Sequence, residues 1–175
     1  MAILLAAGLW AQEGEEDVGE VNFSCGLAFG GTGTNAMVGG AIGISIDRYL
    51  VLMVEGRYIP MGNGTLVPYP GLLVHSSGVY DFSIPLEIRV PLRHHWEPYG
   101  ILAPVLIYNH YRRQGFYSDG TPYYFGGSDV RGGAETGGGV RYYLHKEWGL
   151  KGEFRYTITS RNFSTLSIGV FRQFQ

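Results

Sequence analysis

The stretch GGGVRYYLHKEWGLKGEFRY, Gly137 to Tyr156, restricts what this chain can fold into more than any other. It alternates in character with a period of two on either side of a short turn. Val140, Tyr142 and Leu144 fall on one face of the first segment, and Gly139, Arg141 and Tyr143 on the other. After the turn His145–Glu147, Leu150, Phe154 and Tyr156 share a face that is interrupted at Gly152, opposite Lys151, Glu153 and Arg155. Successive side chains of a β-strand point to opposite sides, so both segments are strands with one apolar and one charged face. A helix would scatter these residues around its circumference.

The same alternation recurs along the chain. Val21 to Phe29 sets Val21, Phe23, Cys25, Leu27 and Phe29 against Asn22, Ser24, Gly26 and Ala28. Met37 to Ile46 groups Val38, Ile42, Ile44 and Ile46, and a turn at Asp47-Arg48 leads to Leu50, Leu52, Val54 and Tyr58, backed by Glu55 and Arg57. Pro60 is expected to close that strand, since proline cannot donate to a ladder. Val79 to Val90 carries Phe82, Ile84, Leu86, Ile88 and Val90 opposite Ser83, Glu87 and Arg89, with Pro85 predicting a local irregularity. Leu92 to Pro98 reads as a turn, Tyr99 to His110 as a strand with blurred alternation, and Tyr111 to Gly133 as a long irregular loop. Ser160-Arg161-Asn162 turns into a last strand, Phe163 to Phe174. The expectation is all-β: eight antiparallel strands in up-and-down order, within one domain.

Composition agrees. Gly (28) and Tyr (13) are abundant and charged residues make up only 16%, which suits short strands and tight turns. The formal net charge of −2 gives no electrostatic reason for a nucleic-acid partner. The single cysteine, Cys25, excludes an intrachain disulfide and reads as a small apolar residue on the lipid side. At the start, MAILLAAGLWA (1–11) resembles the apolar part and cleavage site of an export signal, although no Lys or Arg precedes it. An acidic linker, 12–20, follows, and the barrel domain is placed at 21–175.

Alternation alone does not say which face is inside. A soluble ligand-binding barrel turns its apolar face inward, and a membrane barrel turns it to lipid. Three features favour the membrane. The strands are about ten residues long, as a tilted crossing requires. Aromatic residues mark their ends: Tyr49, Trp96, Tyr99, Tyr143 and Trp148 toward short turns, with Phe29, Tyr58, Tyr80, Tyr108, Tyr111 and Tyr156 toward the other connections. The third is the export signal, together with an aromatic, Phe174, near the C-terminus. Connections after the second, fourth and sixth strands are short, those after the third and fifth long. That pattern predicts periplasmic termini.

PYG at Pro98–Gly100, GGGVRYYL at Gly137–Leu144, WGLKGEFRY at Trp148–Tyr156 and the ending IGVFRQF resemble the small outer-membrane β-barrel family of OmpA, OmpX and opacity-protein type. The resemblance extends from about Val21 to Phe174 and implies a Gram-negative outer-membrane location, contact with outer-membrane lipid, and recognition of the last strand by the barrel-assembly machinery. Two departures are the final Gln175 and Arg172, which takes the apolar parity near the end of that strand.

With the apolar faces outward, Glu55, Arg57, Glu87, Arg89, Arg141, Lys151, Glu153 and Arg155 point into a lumen that eight strands leave just wide enough for side chains. They are expected to pair, as a closed plug or, alternatively, as a gate for small ions. In the Tyr111–Gly133 segment, Arg112, Arg113, Tyr117, Tyr123 and Tyr124 have the composition of an adaptable binding surface for a host or envelope ligand, or for lipopolysaccharide phosphates. A lipid-modifying enzyme is a weaker alternative: His75 and His110 lie near Ser76, Ser77 and Ser118 in no recognisable catalytic spacing. His94-His95 makes no metal set, and GGTGTN lacks the Lys and helix of a phosphate loop, so neither cofactor nor metal is expected.

Overall fold

The computed structural model describes residues 19–30, 33–61, 73–92, 95–116, 119 and 121–174. The expected signal segment 1–11, nearly all of the 12–20 linker, and His94, Tyr117, Ser118 and Gln175 lie outside the described residues. The strands are β1 (Gly19–Gly30), β2 (Gly33–Ser45), β3 (Leu50–Met61), β4 (Leu73–Ser83), β5 (Leu86–Arg89), β6 (Trp96–Phe116), β7 (Pro122–Tyr143), β8 (Trp148–Ile158) and β9 (Phe163–Phe174). Every pairing is antiparallel, and β9 pairs with β1, so the sheet closes on itself. Closure removes the sheet edges, which a lipid-facing backbone requires.

The nine strands correspond to eight expected ones because the fourth is broken. β4 and β5 lie end to end between the same neighbours, β3 and β6, and the interruption is Ile84-Pro85. Pro85 has no N–H to give; its carbonyl accepts from Met53 N–H (2.8 Å), and Ile84 N–H donates to the Pro104 carbonyl (3.3 Å). Pro60 does not end β3, which continues to Met61 with Pro60 on the outward face.

Outward positions are apolar strand after strand, while inward ones carry the buried charges together with a smaller set of apolar side chains. In β8 the pattern is unbroken: Leu150, Phe154, Tyr156 and Ile158 are exposed, while Lys151, Glu153, Arg155 and Thr157 are buried. Its 11 residues span about 36 Å at strand rise. Tilted by roughly 40°, such a strand crosses an apolar band of about 25 Å. Tyr58, Tyr80 and Tyr108 form an outward aromatic ladder at one rim, with ring centroids 4.9 and 6.1 Å apart. Trp96 and Trp148 are exposed at the other rim.

Two expected rim aromatics are elsewhere. Tyr99 is buried in the lumen, and Tyr143 also takes the inward parity, edge-on to Phe171 at 5.0 Å. The cause is the start of β6 at Trp96, which puts Trp96 outside and therefore Tyr99 inside. β6 reads as blurred because both of its faces are apolar: Ile101, Ala103, Val105 and Ile107 point inward, Leu102 and Leu106 outward.

The connections are turns of familiar chemistry. Asp47 Oδ1 accepts from the N–H groups of Tyr49 (2.6 Å) and Leu50 (2.8 Å). Asn162 Oδ1 accepts from Thr159 N–H (3.0 Å). Gly33, where β2 begins, has φ 105°, a conformation that favours glycine.

The largest correction concerns Tyr111–Gly133. It is strand for most of its length: β6 and β7 pair from Trp96↔Tyr142 up to Phe116↔Pro122. The ladder to β8 begins only at Ala134, so β6, β7 and the outer part of β4 run on beyond the ring as a projecting sheet. Outside a bilayer both faces of a sheet meet water, so no apolar alternation marks the segment as strand.

Candidate functional site

The lumen is filled in layers. Nearest the short turns, Glu20 Oε2 accepts from Arg89 Nη2 and from Arg141 Nη2, both at 2.8 Å. Arg89 also donates to Glu87 Oε2 (2.7 Å), and Arg141 Nη1 donates to Glu97 Oε1 (3.3 Å). The Arg141 guanidinium lies 3.8 Å above the Phe171 ring.

In the middle layer Glu153 receives the Tyr99 hydroxyl (2.8 Å), Arg155 Nε (2.5 Å) and, at 3.5 Å, Lys151. Above it Arg155 Nη1 reaches Glu55 (2.6 Å) and Glu135 (3.0 Å). Arg57 Nη2 reaches Asp81 (2.6 Å) and Glu135 (2.5 Å), and Thr157 adds a hydrogen bond to Glu135 (2.9 Å).

Toward the projecting sheet the charges stop. Ala28, Met37, Ile59, Val79, Val105 and Ile107 form a buried apolar cluster, against which Phe163 packs. Side chains therefore occupy the lumen in both layers: charges neutralise one another below, and apolar groups exclude water above.

All eight charged residues expected inside are buried. Sequence reading missed Glu20, Asp81 and Glu135, which are also buried, and the half-buried Glu97. A signal was present: five cations faced only three carboxylates, and an unpaired buried charge is strongly unfavourable. With the added residues the buried set holds five cations and six carboxylates. Glu20 belongs to β1 rather than to an acidic linker, because Arg89 and Arg141 neutralise it there.

Of the residues expected to serve surface recognition, Arg112, Arg113, Tyr123 and Tyr124 lie on the projecting sheet, and Tyr117 is outside the described residues. Arg112 is exposed on β6 with its guanidinium 5.1 Å from the Tyr124 ring on β7, and the Tyr123 ring stacks on Phe125 at 5.9 Å. Arg113 follows on β6. Near the tip, the Asp119 carboxylate accepts from Thr121 N–H (2.8 Å), which holds its pKa below the ordinary value. Asp129 pairs with Arg131, which also donates to Ser160 (3.0 Å). Along Pro122–Gly133, among the described residues, β7 has a ladder on its β6 side and none on the other. His75, Ser76 and Ser77 fall on β4 and His110 on β6. No cluster of three metal-ligating side chains occurs among the described residues.

A closed ring with an apolar exterior and a charged, packed lumen defines a transmembrane β-barrel; the soluble alternative requires the opposite orientation of the same faces. The chain belongs to the outer membrane protein beta-barrel domain family, matched over residues 1–174, and is an outer-membrane barrel of the Gram-negative type. Its fold is similar to that of Ail, the attachment invasion locus protein of Yersinia pestis (TM-score 0.63, 10% identity, 91% of this chain and 100% of that one). Ail in complex with the heparin analogue sucrose octasulfate is also similar (TM-score 0.59, 11% identity, 90% and 99%). So is Neisserial surface protein A (TM-score 0.59, 16% identity, 89% and 96%). No curated protein matches the sequence.

Proposed function

We propose that this protein is a closed, non-catalytic surface barrel whose projecting β4–β6–β7 sheet binds a ligand outside the cell, with both termini in the periplasm. One observation carries the reading: β7 offers an unpaired ladder edge over Pro122–Gly133 among the described residues. Twelve residues at strand rise give an edge of about 40 Å. Four of them are glycines, so few side chains guard the backbone donors and acceptors, and the edge lacks the lysines that usually blunt one. Such an edge accepts an extended polypeptide as an added strand. Tyr123, Tyr124 and Arg112 supply aromatic and cationic contacts beside it.

The lumen supports a structural role rather than a pore, because an apolar layer lies across a self-neutralised one. The short connections 46–49 and 144–147, at the rim where β1 starts and β9 ends, support periplasmic termini. The last strand, with its rim-facing Phe174, would be the segment read by the assembly machinery.

Deleting Gly115 to Gly127 is expected to leave the heat-modifiable gel shift intact and to abolish adhesion of expressing bacteria to host cells. Heparin is a suitable second probe, since Ail has been solved with a heparin analogue and this sheet carries two consecutive arginines. Unchanged adhesion after the deletion, together with undiminished heparin retention in the double variant Arg112→Ala, Arg113→Ala, would rule the sheet out as the binding element.

A further inference from the structure

Below the projecting sheet, Arg172 is the one charged side chain on the outward face of a wall strand among the described residues. Its neighbours in the wall are Val21 of β1 and Trp148 of β8. One row further into the membrane, Val170 lies between Phe23 and Leu150. The Gln173 N–H donates to the Glu147 carbonyl (2.6 Å), tying the 144–147 turn back to β9. That bond brings the Glu147 carboxylate to 3.5 Å from Arg172 Nη2, with both side chains still more than half exposed (61% and 51%). Arg172, Glu147 and Trp148 border an open cleft of about 760 Å³ whose membrane side is formed by Val21, Phe23 and Val170.

This cation does nothing for the lumen. Its contact with Glu147 is long and solvent-accessible, a geometry that contributes little by itself. At the level of the rim aromatics it meets lipid headgroups, and a guanidinium matches a phosphate with two parallel N–H donors. The adjacent carboxylate adds the opposite requirement. A headgroup that carries a phosphate and, two carbons away, a primary ammonium satisfies both charges at once. A purely anionic headgroup has no cation to offset Glu147, and a quaternary ammonium has no N–H to donate to it. The apolar floor of the cleft continues into the membrane as the bed for an acyl chain.

We infer that Arg172 and Glu147 form a binding site for a phospholipid with an ethanolamine headgroup, the phosphate held by Arg172 and the ammonium by Glu147. The inference rests on this rim facing the periplasmic, phospholipid leaflet. The test is independent of that orientation because micelles have no leaflets.

Refolded protein in detergent micelles doped with equal amounts of phosphatidylethanolamine, phosphatidylglycerol and phosphatidylcholine is examined by native mass spectrometry. The ethanolamine lipid should form the dominant adduct, by roughly fivefold over each competitor, the ratio that corresponds to about one additional solvent-exposed ion contact. Arg172→Gln should reduce that adduct to the level of the others. Glu147→Gln should retain lipid but erase the preference for ethanolamine over choline. The gel shift of each variant reports that the barrel is folded before it is measured. Equal adducts of the three lipids on the unsubstituted protein, or an undiminished ethanolamine preference in Arg172→Gln, overturns the proposal.

Discussion

Glu135 is the residue on which the upper lumen depends. It accepts from Arg57 and Arg155 together and from Thr157, so three strands meet at one carboxylate. Glu135→Ala takes one carboxylate from each of two buried guanidiniums, which keep Asp81, Glu55 and Glu153 as partners; the expected cost is about 2–3 kcal/mol, below that of a buried charge left wholly unpaired. Urea unfolding in lipid vesicles, followed by tryptophan fluorescence, should show a loss of that order; a change below about 1 kcal/mol would mean the pairs are dispensable. Gly139 is constrained by space. A Cβ there would lie 2.4 Å from the Gly152 carbonyl and 2.6 Å from the Tyr99 hydroxyl. The carbonyl belongs to the adjacent strand and cannot withdraw without breaking the ladder. Gly139→Val is therefore expected to lose the heat-modifiable gel shift under refolding conditions that suffice for the unsubstituted chain.

At the scale of elements, the weak stave is β4–β5. Pro85 and Pro104 remove two donors from neighbouring places in the wall, and the chain answers with single bonds from Met53 and Ile84 instead of a continuous ladder. A membrane wall tolerates missing donors because proline presents no N–H that needs a partner; the carbonyls are the groups to satisfy. The local opening free energy should be lower here than in the unbroken β1–β9 ladder. Amide exchange in micelles should accordingly be fastest, among wall strands, at Ile84, Leu86 and Val105. Protection equal to that of Asn22 to Leu27 would show that the break carries no dynamic cost.

For the whole molecule, the order of layers decides whether ions pass. Buried charges that exchanged partners would let an ion through, but the cluster of Met37, Ile59, Val79, Val105 and Ile107 lies across the same lumen. An apolar constriction blocks ions by excluding water. Planar bilayers containing the purified barrel should stay insulating. Conductance steps that change in Glu153→Ala or Arg155→Ala would show that the charged layers are a gate instead of a plug.

Much of this architecture follows from the sequence alone, because a strand's two faces are set by its own covalent geometry. Phe154 and Arg155 take opposite sides of the wall whatever their partners are, and strand length with the rim aromatics then tells the lipid side from the lumen side. The split of the fourth strand was legible too, in Pro85. What only the tertiary structure decided is what depends on register and closure. Glu20, Asp81 and Glu135 become lumen residues because pairing brings Arg89, Arg141, Arg57 and Arg155 to them from distant strands. Tyr99 turns inward because it shares a strand with Trp96, and residues three apart on a strand take opposite faces. The projecting β6–β7 sheet escaped the sequence for another reason: solvated on both sides, it needs no alternation. Cross-strand hydrogen bonds hold it, and they leave no mark in the order of the side chains.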